Sequence, residues 1–230
     1  MAEEMKRAST ILLIRNGDRN SGLEVYMTQR PETMLFLPGF HVFPGGIMES
    51  ADRDERIHQF CKNRDLPVEM SYAVSAIREC FEEVGYLLAD YQGRSNIGRT
   101  DETDRLRLQM ENGELTFHDW VLSEQIPLRT DLIRYFGHRI TPRAVSPRRF
   151  DTRYFLTIVP GDIELDPCQR EVSRAEWIQP DVALEQAKKG TLKMVPPTMD
   201  ALADLARFDS AEDAFAYAAG VGNPRPHELA

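Results

Sequence analysis

Cysteine is scarce in this chain: three in 230 residues, Cys61, Cys80 and Cys168, far apart and without a CxxC pair. An odd, scattered set offers neither a disulfide framework nor a zinc-site spacing, and it fits a reduced, cytosolic setting. No apolar run approaches the ~18 residues of a membrane span. Met1 to Ala8 is charged and lacks the apolar stretch of a signal peptide. His227-Glu228-Leu229-Ala230 matches no peroxisomal or retention tail. Positive charge is in deficit, with 28 Lys and Arg against 37 Asp and Glu and a net charge of −9. A phosphate backbone needs a cationic footprint, so general nucleic-acid binding is disfavoured. A small phosphorylated ligand needs only a local cation cluster or a metal. There are no internal repeats and no low-complexity tracts. What remains is ordinary globular composition, 42% hydrophobic and 28% charged, long enough to bury a core unaided.

A short apolar run at Thr10–Ile14 and an alternating segment at Leu23–Thr28 predict two strands joined by a polar loop at Asn16-Gly17-Asp18. Pro38, Gly39, Pro44, Gly45 and Gly46 mark a shaped loop around a short strand at His41-Val42-Phe43. Asp52–Lys62 predicts a short helix, and Asn63–Met70 a linker. The clearest helix is Ser71–Val84, where Val74, Ile77, Phe81, Val84 and Leu88 form one apolar stripe. Ser71 is its expected N-cap and Gly85 its stop. Gly93–Thr100 is expected as a loop. Asp101–Glu111 and His118–Gln125 are expected as helices without catalytic residues. Arg148–Val159 and Glu171–Ile178 follow as strands, then helices at Pro180–Lys189, Thr198–Phe208 and Ala211–Ala219. Strands alternating with helices predict an α/β or α+β class.

The chemistry concentrates in Arg78-Glu79-Cys80-Phe81-Glu82-Glu83-Val84-Gly85-Tyr86. On a helix Glu79, Glu82 and Glu83 sit at i, i+3 and i+4, so their carboxylates share one face, with Arg78 one turn before Glu82. The ordinary alternative is a solvated face of an amphipathic helix. Three carboxylates within one turn repel each other, however, and a hard divalent cation reverses the sign of that interaction. Gly45-Gly46 lies upstream, and glycine lets backbone approach a metal or phosphate closely.

Gly46, five residues, the acid Asp52, and then Arg78-Glu79-Cys80-x-Glu82-Glu83-x-Gly85-Tyr86 resemble the Nudix box, G-x5-E-x7-R-E-U-x-E-E-x-G-U, where U is apolar. Two departures stand out. The first acid is Asp52 and not Glu. Residues 53–77 separate it from Arg78 where the pattern has seven, so about 18 are inserted. Thr28-Gln29-Arg30, with Phe43-Pro44-Gly45-Gly46 thirteen positions on, is similar to the motif upstream of the box in coenzyme A pyrophosphatases, though the second basic residue is missing near Met34. His41-Val42-Phe43-Pro44-Gly45-Gly46, Phe81-Glu82-Glu83, Leu87-Leu88-Ala89, Arg149-Phe150-Asp151-Thr152-x-Tyr154-Phe155 and Pro196-Pro197-Thr198 resemble the peroxisomal coenzyme A diphosphatase branch. The likeness runs from about residue 8 to 208.

The resemblance implies an α/β/α sandwich with a mixed sheet and extra helical insertions. It implies one domain over 1–230, with insertions at 53–70 inside the box and at about 93–130. It implies hydrolysis of a nucleoside diphosphate linked to another group, with Mg²⁺ or Mn²⁺ held by Glu79, Glu82, Glu83 and the Gly45 carbonyl. One Glu of the set would activate water, and Arg78 would position the carboxylates. Arg30, Gly46 and Arg149 are candidate substrate contacts, although strand-end arginines are often surface residues. Glu171 sits where a late acid sometimes assists the metal. Cys80 and the two tryptophans, Trp120 and Trp177, read as buried packing, and His41 as structural. Coenzyme A or acyl-coenzyme A is the expected substrate, giving 3′,5′-ADP and (acyl-)4′-phosphopantetheine. The same box also serves ADP-ribose, NADH or dinucleotides, and an idle nucleotide-binding module is the third alternative. The expected partner is a small nucleotide in a cytoplasmic protein, with neither membrane nor nucleic acid, and a homodimer is compatible with the resemblance.

Overall fold

In the computed structural model, residues 5–17, 22–141 and 149–220 are described. The expectations at Met1–Glu4, Asp18, Arg148 and His227–Ala230 lie outside them. The centre of the molecule is a mixed sheet. Strand β1 (Lys6–Asn16) runs parallel to β8 (Phe150–Ile158), with Lys6 opposite Phe150 and Ile14 opposite Ile158. Antiparallel to β1 lie β2 (Leu23–Gln29) at its C-terminal end and the short β4 (Gly45–Ile47) at its N-terminal end. β3 (His41–Val42) and β9 (Arg174–Ile178) pair with β2, and β7 (Arg134–Ile140) pairs with β8.

The unbroken apolar run of β1 has a simple cause: the strand is buried on both faces. Side chains alternate across a strand. Ile11 and Leu13 therefore face one core, with α2 (Met70–Val84), α3 (Asp101–Glu111) and α4 (Phe117–Glu124). Leu12 and Ile14 face a second core, with α5 (Pro180–Lys188), α6 (Pro196–Leu205) and α7 (Ala211–Gly220). The result is the expected α/β/α layering around a mixed sheet.

Several local expectations change. The 52–62 helix is a 3₁₀ turn at Ala51–Arg53 followed by the four-residue α1 (Glu55–His58). Helix α2 starts at Met70 with Glu69 as N-cap, so Ser71 is a buried helical residue and not the cap. Gly93–Thr100 is not a plain loop, because β5 (Leu87–Tyr91) and β6 (Arg94–Ile97) form a hairpin there. The 93–130 insertion is thus helical only from Asp101. Gly85 stops α2 as expected, at φ 71° with its N–H donated to the Phe81 carbonyl.

Candidate active site

Helix α2 is buried nearly all round, its acidic face included. Glu79 is only 12% exposed and Glu83 is buried, whereas Glu82 is 34% exposed. The solvated-face reading of these acids is thereby corrected. The last carbonyls of the helix take donors from other segments: Arg107 of α3 on Glu82, the Asp166 N–H on Val84 at 2.9 Å and the Cys168 N–H on Glu83 at 2.7 Å. Helix ends leave such groups without intrahelical partners, so these contacts pin the end that carries the acids.

Arg78, 3% exposed, organises the cluster. Its Nε and Nη2 donate to the two oxygens of Asp52, each at 3.1 Å. Nη2 also donates to the Ile47 carbonyl, and Nη1 lies 2.9 Å from both Glu79 and Glu82. The expected pairing of Arg78 with these acids is present. Asp52 is fully buried and accepts further from the Glu49 N–H at 2.7 Å and from His118 Nε2 at 2.8 Å. Burial works to raise its pKa, but the His118 and Arg78 hydrogen bonds outweigh it and hold the carboxyl below its ordinary range.

Gly45 is required sterically by backbone, and Gly46 leaves room for the Glu79 carboxylate. Gly45 has φ 155°, and a Cβ there would run into the Ser9 carbonyl and lie 2.7 Å from Thr10 Cα. A Cβ on Gly46 would sit 2.5–2.6 Å from the carboxylate atoms of Glu79. Gly45 also donates its N–H to Glu83 Oε2 at 2.9 Å. The loop thus lies directly against the acidic face of α2. Burial, and then repulsion from Glu82, outweighs Arg78 and pushes Glu79 up to about 7. Burial and the neighbouring Glu79 raise Glu83 well above the usual carboxylate range. Burial also raises Glu82, with Arg78 opposing.

A cavity of about 620 Å³ opens beside this loop. Glu79, Glu83, Gly45 and Gly46 line it, as does Arg30, whose Nε donates to the Phe36 carbonyl. Glu171 lines it too and faces Glu79 and Glu83 electrostatically. Three of the expected residues lie elsewhere: Arg78 stands behind the acids. Glu82 turns to Arg78, and Arg149 donates to the Thr141 carbonyl beside the cavity without lining it. Among the described residues, no three His, Cys, Asp or Glu side chains stand as a ready-made metal group. The donor set nonetheless fits a hard cation chemically, since two buried carboxylates with raised pKa meet backbone at a glycine pair.

The sequence reading missed His118, Arg139 and Lys6. His118 reaches Asp52 across 66 residues, with no local signal except the shortened acid at position 52. Arg139, on the unforeseen β7, is 4% exposed, pairs with Asp204 at 2.6 Å and lies over the Tyr154 ring. It lines the cavity together with Lys6 and Thr141. Among the described residues no helix is long and apolar enough to cross a membrane.

Comparison with known proteins gives the family. The family model of the NUDT19 Nudix domain matches residues 57–207. Nudix hydrolase 7 of Caenorhabditis elegans is 30% identical over 183 residues, covering 80% of this chain and 56% of that protein. The human protein named acyl-coenzyme A diphosphatase NUDT19 is 24% identical over 244 residues, covering 86% of this chain and 64% of that protein. The chain therefore spans less than two thirds of the length of these curated relatives. The crystal structure of a Nudix hydrolase from Alicyclobacillus acidocaldarius superposes with a TM-score of 0.78 at 28% identity, covering 94% of this chain and 97% of that one. The family match over residues 57–207 takes in the Arg78–Tyr86 half of the box, and the chain belongs to the Nudix hydrolases as a member of the NUDT19 Nudix domain family.

Proposed function

We propose that this chain is a divalent-cation-dependent diphosphatase acting on coenzyme A or acyl-coenzyme A. Water attacks one phosphorus of the diphosphate, a P–O bond of the bridge breaks, and 3′,5′-ADP and (acyl-)4′-phosphopantetheine leave. The observation that carries the chemistry is the meeting of Glu79 and Glu83 with Gly45-Gly46 at one wall of the cavity. The names of the relatives support the substrate.

Glu79, Glu83 and the Gly45 carbonyl would hold Mg²⁺ or Mn²⁺ at the cavity wall, and Glu82 would join them by swinging away from Arg78. The cation, when bound, offsets the diphosphate charge and lowers the pKa of water. A carboxylate of the same set accepts the proton of the attacking water. Arg78 keeps Glu79 in place from behind, and Arg30 offers a guanidinium to a phosphate. Arg139 would serve the far end of the substrate. Strand pairing leads from Ile47 through Ala8 and Thr152 to Arg139. Three strand spacings of about 4.8 Å put it roughly 14 Å from the glycine strand, within reach of a second anionic group on a long ligand. Both cores share the one sheet, and the chain is read as a single elaborated domain.

The test is turnover of coenzyme A, acyl-coenzyme A, ADP-ribose, NADH and dinucleotides with Mg²⁺ or Mn²⁺, with products identified by mass spectrometry. Coenzyme A or its thioester is expected to give 3′,5′-ADP. Cleavage of ADP-ribose alone overturns the substrate, and cleavage of nothing overturns the activity. Glu82→Gln with Glu83→Gln is expected to abolish turnover in a folded protein, and retained activity would remove these acids from the machinery.

A further inference from the structure

Asp52 is a fully buried carboxylate 26 residues before Arg78 in the chain, and each of its oxygens takes two donors. Oδ2 is held by Arg78 Nη2 and the Glu49 N–H. Oδ1 is held by Arg78 Nε and by His118 Nε2, the latter at 2.8 Å. His118 belongs to α4, inside the 93–130 insertion, and is 5% exposed. A segment far along the chain thus ends on the residue that orients the arginine of the catalytic helix.

The position of α4 is set independently by aromatic packing on α2. Trp120 stacks on Phe81 with ring centroids 5.8 Å apart, and Phe117 lies 6.3 Å from the same ring. Phe81 sits on the turn between Glu79 and Glu82. The His118 donor is therefore held rigidly against Asp52. Arg78 has one planar fork, and Nε and Nη2 are engaged by Asp52. Nη1 is left for Glu79 and Glu82. A planar guanidinium cannot tilt at one edge without moving the other, so the angle of Asp52 sets where Nη1 presents itself. The acid is also one methylene shorter than the glutamate of the Nudix pattern, and His118 supplies a donor at the oxygen where the carboxylate meets Nε.

We propose that His118 is a positioning residue for hydrolysis: through Asp52 it sets the Arg78 fork, and the fork places Glu79 and Glu82. The proposal rests on the reading of those acids as the hydrolytic machinery.

The experiment compares His118→Gln, whose amide nitrogen reaches about as far as Nε2, with His118→Leu, which fills the space without a donor. His118→Asn is the second comparison, because its amide is too short to reach Asp52. Each full-length variant is assayed for kcat and KM with coenzyme A and Mn²⁺. Loss of a hydrogen bond to a buried charge corresponds to a fall of about 10- to 100-fold. That fall is expected in kcat for the Leu and Asn variants, with KM within about threefold of wild type, and the Gln variant is expected within about threefold of wild type in both. Equal activity in all variants, or equal loss in Gln and Leu, overturns the proposal. The second readout needs no turnover: the Arg78 Nε–H resonance in ¹H–¹⁵N spectra. It is expected to stay protected from solvent exchange in wild type and the Gln variant and to broaden in the Leu and Asn variants. If wild type cleaves no substrate in the panel, the functional reading falls and this resonance alone decides the coupling. An unchanged Arg78 signal in the Leu or Asn variant overturns it.

Discussion

Removing one negative charge from the acidic face of α2 is expected to stabilise the protein and silence it at once. Burial places Glu79 at about 7 against an ordinary 4.5, and burial with the neighbouring Glu79 raises Glu83 well above its ordinary range. A carboxyl whose folded pKa lies above its unfolded value holds its proton more tightly in the folded state. Its contribution to stability is complete below pH 4.5 and is lost as pH rises from there through about 7. For Glu79 alone the shift corresponds to something on the order of 3 kcal/mol. In a domain of this size that is a fall in Tm of roughly 6–12 °C between pH 5 and pH 8. Asp52 acts in the opposite sense, because its pKa is lowered. Its contribution is lost only as pH falls below the ordinary 3.8, outside this window. Glu83→Gln keeps an acceptor for the Gly45 N–H and removes the charge facing Glu79. Thermal unfolding of metal-free protein is expected to show the variant melting several degrees above wild type at pH 8, with the two converging at pH 5. Millimolar Mn²⁺ is expected to raise the wild-type Tm more at pH 8 than at pH 5, because only the ionised acids attract it. A wild-type Tm that is flat across this range, or a Glu83→Gln variant that melts lower at pH 8, refutes the reasoning.

Gly46→Ala places a methyl 2.5–2.6 Å from the Glu79 carboxylate, which must move about 1 Å. A displacement of that size is expected to lower kcat/KM about 100-fold, and activity near wild type in steady-state assays would show that Glu79 does not need its position. Arg78→Lys replaces the fork by a point charge and leaves Asp52 short of a buried partner. Urea unfolding is expected to show a loss of about 3–5 kcal/mol, and a loss under about 1 kcal/mol would show that the fork is dispensable.

Legibility varied along the chain for identifiable reasons. β1 was visible because a strand buried on both faces is continuously apolar in its middle, and β2 and β8 from their β-branched and aromatic residues. Helix α2 was visible from its three- and four-residue repeat, and its stop from Gly85. β7 was not, since its inward positions carry Tyr135, Gly137 and Arg139 and its other face is half-buried, so Arg134–Ile140 has no apolar alternation. β6, Arg-Ser-Asn-Ile, is held by pairing with β5 and not by its own pattern. Ser71 resembled a cap because serine favours that place, but packing on β1 starts the helix one residue earlier and buries it.

The order of acids on α2 followed from helical periodicity, and the need for glycine at positions 45 and 46 was suggested by Gly46 opening the box and Gly45 preceding it. Those features are local, and backbone geometry alone relates them. Which acids meet the cavity, which one turns back to Arg78, and the hold of His118 on Asp52 were decided by tertiary packing. Burial, close approach and pairing depend on what the sheet and the α3–α4 insertion bring against the helix, and no spacing within a single segment encodes that.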